Sequence, residues 1–236
     1  MIEVARQTYP DRDTLMRDLA ELVADQLRAA HATKDRATLA VPGGTTPAPF
    51  LRWLSEYDLD WKDVHVLPTD ERLVPESNPR SNIGLIRSNL ARERASSVRL
   101  VALHEPILGA MVSRVESYLP IDVLVLGMGA DMHTASLFPG APELAAALAP
   151  DAPVLLEITP PGQPEARLTL TAPVLRAADV IHILITGPEK LAALEKAVAG
   201  GPIEDAPVRA VLTAPATRAR SGPTSPAATR PTPTRR

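Results

Sequence analysis

Short, nearly continuous runs of valine, isoleucine and leucine alternate with amphipathic segments through most of this chain. A strand covered on both faces of a parallel sheet shows such a run, whereas a covering helix repeats its apolar residues every three to four positions. Buried strands are predicted at residues 38–41, 64–67, 121–126 and 180–185. The alternation predicts an α/β fold, with a mostly parallel open sheet, right-handed crossovers and helices on both faces.

The amphipathic segments predict the helices. In residues 13–30, leucines and a valine recur at helical spacing with charges on the opposite side. Further helices are predicted at residues 47–55, 81–90, 110–118 and 188–199. Two weaker apolar runs, residues 168–170 and 208–212, predict strands at an edge or in a small excursion from the sheet.

Composition limits the class of protein further. The chain has 236 residues, of which 45% are hydrophobic, enough for one core, and we expect one domain over residues 1–215. The formal net charge is −3 with both signs interspersed, which gives no reason to expect nucleic acid or an anionic membrane as a partner. The absence of cysteine excludes disulfides and thiol nucleophiles. Without a secretory signal or a long apolar segment, a cytoplasmic protein is expected.

The character of the sequence changes at its end. Residues 216–236 contain five arginines, four prolines and no acid, and almost no apolar side chain larger than alanine. Such a segment buries too little surface to offset its ordering entropy. We therefore expect a disordered tail, whose removal should hardly change the melting temperature.

The first candidate site follows the predicted strand at residues 38–41. In open α/β sheets, ligands collect at the carboxyl ends of strands. Here Gly43, Gly44 and Thr45 lead towards a helix, and glycines let a ligand approach the backbone N–H groups closely. The loop predicts a phosphate-binding site, although a plain strand–helix turn fits the same residues equally well.

A second group of polar residues follows the strand at residues 64–67. It contains Asp70, Arg72, Arg80 and Asn82, with a second acid at position 71. Arginine offers fork-shaped donors to phosphate oxygens, and the acids and the amide can bind sugar hydroxyls. A surface salt-bridge cluster is the alternative interpretation of this segment.

The third loop, residues 127–140, follows the predicted strand at residues 121–126. Its glycine-rich start is followed by Asp131 and His133 and then by a short apolar segment. Among the histidines, His133 is the one placed just past the end of a strongly predicted buried strand. This position favours catalysis over a structural role, because an imidazole has an ordinary pKa of about 6.5 and can take up and release a proton near neutral pH.

This loop resembles the signature of the 6-phosphogluconolactonase family, G-x-G-x-D-G-H-T-A-S-L-F-P-G. Other segments are similar to the remaining hallmarks of the family, in the same order and at the same spacings: residues 43–47, 70–72 with 81–82, and 167–171 with 187–190. The similarity covers roughly residues 2–215. It implies the modified Rossmann-like fold of sugar-phosphate isomerases, aminosugar-phosphate deaminases and CoA transferases.

The resemblance also implies an activity. A family member is a lactonase, a carboxylic ester hydrolase that converts 6-phospho-D-glucono-1,5-lactone to 6-phosphogluconate in the pentose phosphate pathway. His133 would be the general base and then the acid, and Asp131 would orient it or hold a sugar hydroxyl. The expected substrate ligands are Gly43, Gly44, Thr45, Asp70, Arg72, Arg80, Asn82, Arg167 and Lys190. No metal or other cofactor is expected, and the chain should act on this small molecule as a monomer or weak homodimer.

The sequence departs from the family pattern at two places. Met132 stands where the family usually has glycine. If that position requires a positive φ, methionine costs strain and could displace His133. The family also continues past position 215 with a final strand that carries aromatic and acidic residues, and the different sequence here predicts that this strand is missing.

Two other functions stay open on the sequence. A glucosamine-6-phosphate deaminase has a similar glycine–Asp–x–His turn, but it typically continues with a glutamate-containing segment where this chain has residues 134–140. A catalytically inactive sugar-phosphate-binding protein is the second alternative, because a fold does not by itself imply activity.

Overall fold

A seven-stranded parallel sheet forms the centre of the computed structural model, which describes residues 2, 4–103, 108–214 and 217–222. Every pairing in this sheet is parallel. In spatial order the strands, numbered along the chain, are β1 (Ala5–Thr8), β10 (Thr217–Ser221), β9 (Val180–Ile185), β6 (Val123–Gly127), β2 (Ala37–Val41), β3 (Val64–Pro68) and β5 (Arg99–Leu100). The predicted parallel α/β sheet is therefore confirmed.

A small antiparallel sheet lies beside the large one. Its order is β4 (Asp70–Arg72), β8 (Arg167–Leu170) and β7 (Leu155–Ile158). The backbone N–H of Leu170 donates to Thr69, in the short link between β3 and β4. The weak strand predicted at residues 168–170 is thus confirmed as an excursion, and this excursion places Arg167 opposite Arg72 of β4.

The helices cover both faces of the large sheet, as predicted. The structure places α1 (Arg12–His31), α2 (Ala48–Leu54), α3 (Asn82–Leu90), α4 (Leu108–Glu116), α5 (Leu144–Leu148), α6 (Ala172–Arg176), α7 (Pro188–Val198) and α8 (Arg209–Leu212), with two short 3₁₀ helices at Trp61–Asp63 and Glu93–Ser97. No helix in the described part of the chain is long and apolar enough to cross a membrane.

Two apolar cores lie on opposite faces of the sheet. Along β6, Val123 and Val125 belong to the core that includes α1, α2 and α3, whereas Leu124 and Leu126 belong to the core that includes α4 to α8. Successive side chains of a strand point to opposite faces, so a continuous apolar run fills both cores at once. This double burial explains why such runs predicted the strands.

The strand predicted at residues 208–212 is wrong, because this segment forms α8. The backbone N–H groups of Val211 and Leu212 both donate to the carbonyl of Val208, at 3.1 and 3.0 Å. A short buried helix and a short buried strand present the same apolar run, and periodicity does not separate them.

The disordered tail predicted from residue 216 is also wrong for the residues that the structure describes there. β10 pairs with β1 on one side and β9 on the other, so the final strand is present. Ala219 enters the core, and Arg220 is buried with its guanidinium bonded to Asp18 and Gln7, each at 3.0 Å, and to Tyr9. These polar partners compensate for the missing apolar side chains. The rest of the predicted tail, residues 223–236, lies outside the described residues.

Candidate active site

A cavity of about 310 Å³ opens at the carboxyl ends of the strands in the large sheet. The loops after β2 and β6 form part of its wall, the segment that follows β3 forms another part, and α7 contributes one side chain. The predicted residues that line the cavity are Gly43, Gly44, Thr45, Asp70, Arg72, Asn82, His133, Arg167 and Lys190. Segments separated by more than a hundred positions therefore converge where the sheet topology predicts a ligand site.

His133 and Asp131 form a hydrogen-bonded pair at this cavity. Nδ1 of His133 lies 2.5 Å from Oδ1 of Asp131, and the same oxygen accepts the backbone N–H of His133 at 3.2 Å. An ionised carboxylate only accepts hydrogen bonds, so it selects the tautomer with the proton on Nδ1 and the lone pair on Nε2. The ring also contacts Phe138, with 4.2 Å between the ring centroids.

The electrostatic state of Asp131 follows from this pair. Burial acts to raise the pKa of Asp131, but the hydrogen bonds from His133 and its positive charge when protonated outweigh burial and lower that pKa below its ordinary value. Asp131 therefore remains a carboxylate at neutral pH.

The loop after β6 depends on Gly129 and on the unusual backbone conformation of Met132. A Cβ at Gly129 would lie 2.3 Å from both His133 Nδ1 and Asp131 Oδ1, so only glycine leaves room for the pair. Met132 has φ 65°, the left-handed conformation in which methionine was expected to cost strain. His133 nevertheless lines the cavity and retains its bond to Asp131, so the substitution has not removed the ring from the site.

The glycine loop after β2 packs directly against Asn82. A Cβ at Gly43 would lie 1.8 Å from Oδ1 of Asn82, and Gly44 has φ 85°. Arg12, an exposed residue that is not part of the cavity lining, binds the carbonyls of Thr45 and Thr46 at 3.5 and 3.3 Å. Close packing and these bonds hold the loop against the cavity, where glycine allows a ligand to reach the main chain.

Three cationic side chains line the cavity: Arg72, Arg167 and Lys190. Burial lowers the pKa of Arg167 below its ordinary value, and the charges of Arg72 and Arg80 lower it further, against the opposing effect of Asp70. Within the described residues, the buried Nε atoms of Arg72 and Arg167 lack a hydrogen-bond acceptor. An anionic ligand would supply both the missing acceptors and the missing negative charge.

Asp70 lies at the junction of three loops. Its Oδ2 accepts the hydroxyl of Ser136 at 2.6 Å and lies 3.7 Å from Nη1 of Arg167, while its backbone carbonyl accepts Nδ2 of Asn82 at 2.6 Å. The predicted acid is therefore in the cavity wall, where it links the histidine loop to the arginines.

Arg80 is the one predicted substrate ligand that does not line the cavity. Its guanidinium forms an ion pair with Glu165, and about half of its side chain is exposed. Its backbone carbonyl instead accepts Nη1 of Arg72 at 2.5 Å. Sequence patterns did not indicate that Arg80 has a partner 85 positions further along the chain.

The other residues of the lining were not among the predicted site residues, and all of them except Thr46 lack a polar side chain. They are Pro42, Thr46, Pro47, Gly127, Met128, Gly129, Ala135 and Leu184. Adjacency to the predicted loops was the available indication for most of them. In the part of the chain that the structure describes, no three histidine, aspartate or glutamate side chains are grouped to hold a metal ion.

The sheet and its cavity define a class: a Rossmann-like α/β protein with a cavity lined by cationic side chains at the carboxyl edge of its strands, beside a His–Asp pair. The comparison with known proteins is more specific. Residues 10–219 match the model of the family described as glucosamine-6-phosphate isomerases/6-phosphogluconolactonase, and the chain belongs to this family.

Relatives within the family cover nearly the whole chain. A 6-phosphogluconolactonase of Pseudomonas aeruginosa is 45% identical over 222 residues, which span 91% of this chain and 93% of that protein. The crystal structure of a 6-phosphogluconolactonase from Shewanella baltica matches with a TM-score of 0.90 at 30% identity, over 94% of this chain and all of that one. A monomeric glucosamine-6-phosphate deaminase shares the fold, with a TM-score of 0.77 at 19% identity over 92% of this chain and 97% of that one.

Proposed function

We propose that this chain hydrolyses 6-phospho-D-glucono-1,5-lactone to 6-phosphogluconate, the second step of the oxidative pentose phosphate pathway. The observation that carries the proposal is the His133–Asp131 pair, whose histidine lines a cavity that also contains Arg72, Arg167 and Lys190. A proton acceptor beside a cationic pocket suits an ester that carries a phosphate. The name shared by the bacterial relatives supports the same substrate.

Substrate binding uses the cations and the glycine loop. Arg72, Arg167 and Lys190 bind phosphate and hydroxyl oxygens, and the main chain of Gly43, Gly44 and Thr45 adds N–H donors. Asp70 and Asn82 supply oxygen acceptors for sugar hydroxyls. Arg80 is not included in this contact set because it pairs with Glu165 outside the lining.

His133 carries the proton in both halves of the reaction. Nε2 takes a proton from water as the water oxygen bonds to the lactone carbonyl carbon, which gives a tetrahedral intermediate. The bond between that carbon and the ring oxygen then breaks, and the imidazolium returns the proton to the departing oxygen. Asp131 stabilises the imidazolium through Nδ1, and backbone N–H groups of the glycine loops stabilise the oxyanion. These steps require no metal or other cofactor.

Replacement of His133 by alanine tests the proposal. Loss of the general base should reduce lactonase turnover at least about 100-fold, under conditions that suppress spontaneous opening of the lactone. His31→Ala is the matched control, because His31 lies at the end of α1 near Asp60 and does not line the cavity. Near-normal turnover by a folded His133→Ala protein would exclude the assigned base.

Two assays separate this activity from the alternatives. A deaminase would release ammonia from glucosamine 6-phosphate, and we expect none. An inactive sugar-phosphate sensor would be stabilised by 6-phosphogluconate in a thermal shift without turning over the lactone. Stabilisation together with turnover is the result expected of a lactonase.

We also propose that the protein acts in the cytoplasm, as a monomer or weak homodimer. The proposed substrate carries phosphate charges that do not cross a lipid bilayer readily, so the enzyme should work where the substrate is formed. Cell fractionation and sedimentation at two protein concentrations would check the two statements separately.

A further inference from the structure

Glu71 lies between Asp70 and Arg72 in β4. Both neighbours line the cavity, but Glu71 does not. Its side chain is fully buried. Its carboxylate accepts the backbone N–H groups of Arg72 at 2.8 Å and of Asn82 and Ile83 at 2.7 Å each, and the hydroxyl of Ser81 lies 3.3 Å away. One side chain therefore binds both β4 and the first turn of α3.

Two of these bonds join the main chain of Arg72 to the main chain of Asn82 through Glu71. A single oxygen of Glu71, Oε1, accepts the N–H of Arg72 and the N–H of Asn82. Both Arg72 and Asn82 line the cavity. The distance between an arginine that binds anions and an amide that binds hydroxyls is thus fixed by one buried carboxylate.

The role requires a carboxylate and not merely a polar side chain. Burial raises the pKa of Glu71 and the charge of Asp70 adds to this, while the three backbone N–H donors act to lower it. A glutamine of the same size has one acceptor oxygen and one NH₂ donor. With its NH₂ group at the Oε1 position, the glutamine would face the N–H groups of Arg72 and Asn82, and at the Oε2 position it would face that of Ile83. In either orientation the first turn of α3 loses at least one of its backbone bonds to residue 71 and gains an N–H···H–N contact in its place.

We propose that Glu71 is a positioning residue for substrate binding, which holds Arg72 and Asn82 at the separation that the phosphorylated lactone requires. This inference rests on the proposed function, because it assigns Glu71 a part in recognition of that substrate. The carboxylate touches neither the substrate nor the reacting atoms, and it acts only through the two backbone segments that it joins.

The test compares Glu71→Gln with the wild-type enzyme in steady-state kinetics. We expect KM for the phosphorylated lactone to rise about tenfold, equivalent to about 1.4 kcal/mol, while kcat stays within about twofold. Asp122→Asn is the matched control. Asp122 is also a buried carboxylate that accepts a backbone N–H, from Thr38 at 2.7 Å, but it lies at the opposite end of the strands. The Asp122→Asn substitution should lower the melting temperature and leave KM for the phosphorylated lactone unchanged.

Each outcome decides the proposal. An unchanged KM in Glu71→Gln, or an equal rise of KM in Asp122→Asn, would show a merely structural carboxylate and overturn it. If Glu71→Gln does not fold, Glu71→Asp keeps the charge but is too short to reach both segments, and it must raise KM at least about threefold, or about 0.7 kcal/mol. A wild-type enzyme without turnover would refute the proposed function instead, and the Kd of 6-phosphogluconate for the same variants, measured by calorimetry, would then decide the role of Glu71.

Discussion

Nδ1 of His133 lies 2.5 Å from Oδ1 of Asp131, two positions earlier in the same loop. The two residues are joined by only one intervening residue, and the same carboxylate oxygen also accepts the backbone N–H of His133. The orientation of the imidazole is therefore set within a single turn rather than by a distant part of the chain. A change at Asp131 should then act on the histidine alone.

Asp131→Asn should reduce kcat about 100-fold and change KM little. Asparagine removes the charge that stabilises the imidazolium, and its NH₂ group can favour the wrong tautomer, so the loss falls within the range attributed to general-base catalysis. Steady-state turnover of the phosphorylated lactone measures the effect. Asp151→Asn, at an exposed position outside the cavity lining, is the control. A wild-type kcat in Asp131→Asn would mean that the pair does not set the tautomer.

The sequence predicted the main parallel strands and the loops of the site because both follow from local patterns. A strand buried on both faces must be apolar throughout, and ligand-binding residues follow its carboxyl end. The structure accordingly brings Gly43, Asp70 and His133 together, although they lie in three separate segments. Neither inference required knowledge of a distant contact.

The direction of the Glu71 side chain and the burial of Arg220 depend on contacts between distant segments, which a local sequence pattern does not contain. Asp70, Glu71 and Arg72 form one short strand whose side chains alternate, so the first and third face the cavity while Glu71 points away. Two adjacent acids in sequence gave no indication of this separation. Arg220 in β10 is buried because Asp18, some 200 positions earlier, pairs with it, and composition alone therefore predicted disorder there.

Met132→Gly should destabilise the protein although it relieves backbone strain. A positive φ costs a non-glycine residue about 1–2 kcal/mol, but removal of a buried methionine side chain costs about 2–5 kcal/mol. Met132 is buried in the core at φ 65°, so the net loss in the free energy of unfolding should be about 2 kcal/mol. Urea unfolding gives this value.

Met132→Ala is the matched comparison, because alanine loses the same packing and keeps the strain. Glycine should therefore be more stable than alanine at this position by about 1 kcal/mol, the reverse of the usual order. An alanine variant at least as stable as the glycine variant would show that the left-handed conformation is not strained here.

Two C-terminal deletions separate the strand from the rest of the predicted tail. Removal of residues 216–236 takes away β10, which pairs with β1 and β9, and should abolish the cooperative thermal transition. Removal of residues 223–236 alone deletes no apolar side chain larger than alanine, apart from proline, and should shift the melting temperature by less than about 2 °C. Scanning calorimetry of both deletion variants tests whether the folded domain extends through β10. Cooperative unfolding of the variant that lacks residues 216–236 would show that β10 is dispensable.

His182 should make the protein sensitive to acid. Burial, together with the charges of Arg220 and Arg218, lowers the pKa of His182 from 6.5 to about 3. Its Nε2 lies 2.9 Å from Oε1 of Gln26, which leaves Nδ1 towards Arg220 as the site where a proton would be added. The neutral ring is favoured in the folded state, so stability is retained above pH 6.5 and is lost as the pH falls from about 6.5 towards 3, by up to about 1.4 kcal/mol per pH unit.

His182→Gln keeps a donor and an acceptor at this position but cannot be protonated. We expect it to be less stable than the wild type at pH 7, since the core loses the ring, and we expect this difference to shrink as the pH is lowered to 4. Urea midpoints of both proteins, measured between pH 7 and pH 4, test how this stability difference changes with pH. Parallel curves for wild type and His182→Gln would show that another group controls acid unfolding.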